Sequence, residues 1–365
     1  MVVAVRAAFL AVAGAASVLL NPSPDASLAS LTETWAHYDA LHYLSIAREG
    51  YTGAGADPND TAFFPLYPLL IRLLASLGLG PVRAALLISL AGTLVAAVYL
   101  YALAEEDAGE GAGRLAVAYL LFFPTAVFLC APYTEATFLG GAVAAFYYAR
   151  RGHWVGMALG AAVASGSRVT GAFLLVGLLV EVLRHRGLTK TSLARAGAGL
   201  AAGAVPLVAY AVYLHLIRGD ALNFVTVQSV GWGRELGSPM TALLGTWQVV
   251  WDGRLNGVPV TTGPRLLWLG ELAATALGTV FAIWAARRRE WGYAAFMGCL
   301  MAVALTSGPL YLSVPRHLLG LFPIPLILAG VTRERPLAAG TLVGVLAPTA
   351  TLGVLIYTRG TSWFF

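Results

Sequence analysis

Charge is scarce in this chain. Only 11% of its 365 residues are Asp, Glu, Lys or Arg, while 58% are hydrophobic and the mean hydropathy is +0.75. Soluble domains carry roughly 25% charged residues, so a water-soluble globule of this size and a disordered chain are both excluded. Lysine is nearly absent: of 23 basic residues, all but Lys190 are Arg. They are scattered in short breaks, and without a basic tract the net charge of +5 does not point to nucleic acid. Cysteine occurs twice, as Cys130 and Cys299, each inside an apolar block. These read as buried free thiols and say little about the redox compartment. No HExxH, GxxxxGK[ST] or GxSxG motif and no Cys/His metal spacing occurs.

What the chain has instead is long apolar runs separated by Arg-rich or Pro/Gly-rich breaks, the pattern of an all-α polytopic membrane protein. A span takes about 20 apolar residues. Blocks of that kind cover 3–20, 84–104, 114–131, 134–150, 192–217, 263–286, 291–310, 317–332 and 336–357. The run 153–183 is too long for one span and is interrupted at Ser165–Arg168, which predicts two short helices meeting near Arg168. The positive-inside bias assigns Arg114, Arg150–Arg151, Arg184/Arg186/Lys190, Arg287–Arg289 and Arg333/Arg335 to the cytoplasm. Loops 21–61, 131–134, 165–168, 218–262 and 309–316 then fall on the outer face. The result is a single domain, 1–365, of about eleven transmembrane helices. Its first outer loop carries interfacial helices, and 218–262 forms a second large outer loop. Segment 62–80, with Arg72 in its middle, fits as an interfacial or re-entrant helix. The run 3–20 has the length of a signal peptide but reads as an uncleaved first span, and Trp363–Phe365 fall outside.

The polar residues that this topology does not explain collect on the outer face. Read as one helix, Trp35, Asp39, His42, Tyr43 and Ile46 share a face, with Gly50 as C-cap. Asp39 is then either a partly desolvated general base or a solvated residue on an anchoring helix. Phe63-Phe64-Pro65-Leu66-Tyr67-Pro68 is either a rigid turn that opens a helix or a segment that shapes a lipid-facing site. Glu135, in Pro132-Tyr133-Thr134-Glu135, sits where a helix begins; it is either a dipole-stabilised cap or a second active-site carboxylate. Arg168 and Arg316 each lie at the outer end of an apolar run, where a charge has a partner, a function or a route to the headgroups.

Taken in order, these pieces resemble the PIG-V family of mannosyltransferases, within the GT-C superfamily. They are Trp35 with Asp39 through Gly50-Tyr51; Phe63-Phe64-Pro65 with Pro68; Pro132–Glu135; Ser167-Arg168 with Gly171; and Pro315-Arg316-His317. The chain departs from the family where Ala36-His37-Tyr38 separate Trp35 from Asp39, and where His317 stands in place of an aromatic. The resemblance implies a GT-C-like bundle that moves a sugar, mannose in the family, from a polyprenyl-phosphate donor. The recipient is a hydroxyl of a glycolipid or membrane-anchored acceptor at the extracytoplasmic face. The Arg-rich, Lys-poor composition suits a prokaryotic plasma membrane. Asp39 and Glu135 take the catalytic places in this scheme, with Asp39 as base in an inverting displacement. Arg168 and Arg316 bind the donor phosphate, His37 and His42 hold the Asp39 carboxylate, and Tyr43, Phe64, Tyr67 and His317 contact substrate. A divalent cation is left open. The alternative class is a flippase or transporter of lipid-linked sugars, which would place its ionisable residues near mid-membrane on broken helices.

Overall fold

Proline starts many of the helices and glycine ends them, as the missing Pro N–H and the free φ of Gly dictate. A computed structural model of the chain describes residues 1–20, 32–186, 189–255, 258–260 and 262–360. Its helices, in order, are α1 (Val2–Leu20), α2 (Asp39–Glu49), α3 (Leu66–Ser76), α4 (Pro81–Ala108), α5 (Ala112–Leu121), α6 (Val127–Cys130), α7 (Glu135–Arg151), α8 (Trp154–Ser167), α9 (Thr170–Arg186), α10 (Lys190–Arg218), α11 (Asn223–Trp232), α12 (Pro239–Asp252), α13 (Thr262–Arg287), α14 (Trp291–Thr306), α15 (Val314–Leu319), α16 (Pro323–Thr332) and α17 (Pro336–Thr358). A 3₁₀ turn, Pro58–Ala62, lies between α2 and α3. A two-residue hairpin, β1 (Arg254–Leu255) against β2 (Val258–Pro259), follows α12.

The centre of the bundle is α7, buried on every side from Glu135 to Phe146. A helix apolar all round belongs in the interior. It meets α8 backbone to backbone: a Cβ on Gly141 would lie 2.6 Å from the Gly160 carbonyl, and one on Gly160 2.7 Å from the Gly141 carbonyl. Only glycine permits that approach. At the C-terminal end of α7, Arg150 pairs with Asp107 at the end of α4 and with Glu181 of α9 at 2.6 Å. Arg184 pairs with Glu290, just before α14. At a rise of about 1.5 Å per residue, this cluster is roughly 22 Å from Glu135 at the other end. The arginines assigned to one face by sequence and the carboxylates assigned to the other thus occupy opposite ends of one buried helix.

Among the described residues, four helices are long and apolar enough to span a bilayer: Pro81–Ala108, Lys190–Arg218, Arg265–Arg287 and Pro336–Thr358. With the shorter apolar helices they make an integral membrane protein. Of the roughly eleven expected spans, some of them short, these four are single helices of full spanning length among the described residues. The run 114–131 breaks after α5 at Phe122, ahead of Pro124, and 317–332 divides into α15 and α16 before Pro323. Such breaks are tolerated where neighbouring helices bury the backbone. Two other expectations hold: 153–183 folds as α8 and α9, with Arg168 extended between them, and 62–80 contains the short helix α3. Arg72 of α3 donates to the carbonyls of Ala47 (2.7 Å) and Ile46 (3.2 Å), capping the end of α2. Part of the expected first outer loop, 21–31, and Trp363–Phe365 lie outside the described residues.

Candidate active site

Two short helices deliver the central charges, and each is entered through a non-glycine residue with positive φ. Tyr38 (φ 54°) precedes Asp39 at the start of α2, and Ser313 (φ 60°) precedes α15, which carries Arg316. Strain of this kind costs on the order of 1–3 kcal/mol and persists only where the surroundings enforce it. At α15 the enforcement comes from Glu271 of α13, whose carboxylate accepts the N–H groups of Ser313 (2.9 Å) and Val314 (2.8 Å). At α2 the hydroxyl of Tyr357 donates to the carbonyls of Trp35 (3.0 Å) and His37 (3.2 Å).

Asp39, Glu135, Arg168 and Arg316 meet there. Arg316 donates to both Asp39 and Glu135, and Arg168 donates to the same Glu135 oxygen and to Thr134 Oγ1 at 3.1 Å. The Arg316 guanidinium also lies over the rings of Tyr133 (4.6 Å) and Phe128 (5.0 Å). Two carboxylates and two guanidiniums leave this tetrad with no net charge. Burial pushes the Asp39 carboxyl up, but the charge and hydrogen bond of Arg316 outweigh it and hold Asp39 below the usual carboxylate value. Tyr43 reaches the cluster through its hydroxyl, 3.1 Å from Thr134 Oγ1.

The tetrad borders a cavity of about 910 Å³ whose lining includes Asp39, His42, Tyr43, Phe64, Arg168, Arg316 and His317. His37 and Tyr67 are not on that lining. The Tyr67 hydroxyl is spent on Ala85 and Ser89, and the His37 ring packs against Tyr38 and Tyr357. Trp35 lies outside α2, because Tyr38 breaks the helix that was expected to include it. The expectation that His37 and His42 hold Asp39 is corrected: Arg316 holds it, and His42 Nδ1 pairs with Asp60 at 2.7 Å. Among the described residues no group of three or more His, Cys, Asp or Glu side chains is placed to hold a metal ion.

Asp60, fully buried, was visible in the sequence only as the middle of Asn59-Asp60-Thr61. Its other oxygen accepts the Asp57 N–H at 3.2 Å. Burial lowers the His42 imidazole, and the hydrogen bond and charge of Asp60 more than reverse that, so it titrates above its usual 6.5. The pair's contribution to stability is therefore complete below pH 6.5 and is lost as pH rises through the raised value. We expect the melting temperature of the detergent-solubilised protein to fall as pH rises above 6.5, and to fall less in Asp60→Asn. Equal slopes would remove this pair as the cause.

Sequence reading also missed Arg234. The end of α11 places it: Gly233 adopts φ 62°, and the Arg234 N–H bonds back to the Gln228 carbonyl at 3.0 Å. Arg234 lines the cavity, and its NH2 group touches Ser313 Oγ at 3.3 Å. Its Nε has no hydrogen-bond partner, and among the described residues no carboxylate forms an ion pair with it. The sequence offered only a lone Arg beside Glu235, which looks like a self-compensated loop charge.

The bundle shares its fold with a membrane protein of known structure. It is similar to a crystal structure of ArnT from Cupriavidus metallidurans bound to undecaprenyl phosphate, with a TM-score of 0.54 and 19% identity, covering 94% of this chain and 62% of that one. The same enzyme in the apo state gives 0.52 and 19%, covering 82% and 56%. The chain thus spans less than two thirds of the length of these proteins. Residues 13–192 match the model of the mannosyltransferase (PIG-V) family, the family whose motifs the sequence resembles. No curated protein matches the chain by sequence.

Proposed function

We propose that the protein is a membrane glycosyltransferase that moves a sugar, mannose by its family resemblance, from a polyprenyl phosphate to a hydroxyl of a lipid-linked or membrane-anchored acceptor at the extracytoplasmic face. The observation that carries this reading is the charge arrangement of the cavity: a neutral tetrad on one wall, with Arg234 as an added cation. A sugar phosphodiester brings one negative charge, which Arg234 neutralises without breaking the tetrad. When the bond between the anomeric carbon and the phosphate oxygen breaks, the phosphate gains a second negative charge, and Arg316 and Arg168 are at hand to receive it. The acceptor oxygen forms the new bond from the opposite side, inverting the configuration, and its proton goes to Asp39. As the phosphate draws Arg316 toward itself, Asp39 loses part of the interaction that depresses its basicity. Donor binding and base activation are coupled in this way. A nucleotide loop has no task here, since the donor is held by its lipid.

Binding tests the reading without requiring the acceptor. The purified protein is expected to prefer undecaprenyl phosphate to undecaprenol, and Arg234→Gln to lose about 10–100-fold of that preference, the range of a charge-assisted hydrogen bond. Arg234→Lys should retain part of it. Equal binding of phosphate and alcohol by the wild type would overturn the donor assignment.

A further inference from the structure

The tetrad accounts for Asp39, Glu135, Arg168 and Arg316, but not for the buried pair beside it. His42 is fixed on three sides. Its Nδ1 is tied to Asp60, its ring stacks on Phe63 with centroids 4.5 Å apart at 16°, and Trp232 stands 6.2 Å away. Nε2, on the opposite edge of the ring from Asp60, has no protein hydrogen-bond partner among the described residues, and the side chain is 25% exposed on the cavity lining. An immobilised imidazole with one free nitrogen is a preformed hydrogen-bonding group. Spending a fully buried carboxylate to hold it is more than packing requires.

Its position relative to Asp39 gives it a use. The two residues are three apart on α2, so their Cβ atoms are about 5–6 Å apart on one face, and both line the cavity. Two such groups are met at once by hydroxyls on adjacent carbons, whose oxygens lie about one hydrogen-bond length apart. We propose that His42, held by Asp60, positions the acceptor by binding a second hydroxyl next to the one that Asp39 deprotonates. The acceptor is then a polyol ring such as a sugar, and an isolated hydroxyl would be a poor one. This rests on the function proposed above. A hydroxyl donates to neutral Nε2 and accepts from protonated Nε2, so the contact survives titration of His42.

The test uses the full-length protein with undecaprenyl-phosphate mannose as donor. The acceptors are octyl mannopyranoside, its monodeoxy analogues and dodecanol. The wild type should use the glycoside, lose about tenfold in kcat/KM when the hydroxyl neighbouring the attacked one is removed, and use dodecanol poorly. His42→Phe, which keeps the stack on Phe63, should raise KM for the glycoside about tenfold, with kcat and hydrolysis of the donor by water near wild type. It should add no further loss with the deoxy acceptor, because the two deletions remove one contact. Asp60→Asn, which keeps the ring in place, should give a smaller rise in KM and serves if His42→Phe does not fold. Dodecanol performing as well as the glycoside, a deoxy acceptor at full rate, or donor hydrolysis falling in step with transfer would each overturn the proposal. So would donor hydrolysis with no glycoside product. A wild type that neither hydrolyses nor transfers from the donor would instead overturn the proposed function, and this inference with it.

Discussion

Arg316→Ala is expected to reduce sugar transfer by about 10²–10³-fold and to lower stability as well. Among the described residues, Arg316 is the one that holds both Asp39 and Glu135. Removing one partner from a buried ion network leaves an uncompensated charge and costs about 3–5 kcal/mol. Glu135 keeps Arg168, so the larger part of that cost falls on Asp39, which without Arg316 loses the interaction that keeps its pKa low. Losing one group that stabilises developing negative charge removes a further 10²–10³-fold, roughly, from turnover. The measurements are donor consumption and thermal unfolding in detergent. Arg316→Lys separates the two losses: one ammonium cannot serve two carboxylates as a guanidinium does, so stability should recover further than turnover. Turnover within a few fold of wild type in Arg316→Ala would remove Arg316 from the site.

Asp39→Asn is the second large effect. It preserves shape and removes the proton acceptor, so turnover should fall about 10²–10⁴-fold while undecaprenyl phosphate still binds. Because Asp39 is held below the usual carboxylate value, the wild type keeps its base ionised through the whole neutral range. The part of the pH profile of kcat/KM due to Asp39, which reports the free enzyme, should therefore be flat near neutrality and drop only when pH falls through the depressed value, below about 3.8. Unchanged turnover in Asp39→Asn, or a Asp39-dependent limb near neutral pH, would assign proton removal elsewhere.

The helical class, the break at Arg168 and a short helix within 62–80 were legible in the sequence, because each depends on local signals of apolar length, proline, glycine and arginine. The convergence of Asp39, Glu135, Arg168 and Arg316 was legible only through the order of their motifs and their shared face. Which carboxylate meets which cation depends on contacts across up to 277 positions of chain, and no local pattern encodes that. His42 illustrates the point: its spacing put it on the face of Asp39, yet its hydrogen bond goes to Asp60, 18 residues away on a 3₁₀ turn. Arg234 was hidden for the opposite reason. No motif surrounds it in the sequence, and the cap at Gly233 is what turns it into the cavity. Span counting failed where helices break at prolines inside the protein, since hydropathy reports composition and not continuity.

One helix, α7, is clamped by charge at both tips, through Glu135 to Arg168 and Arg316 and through Arg150 to Asp107 and Glu181. Its middle is locked to α8 at Gly141 and Gly160. A rod held in this way ties the two charge clusters together, so a shift at one tip of α7 is passed to the other.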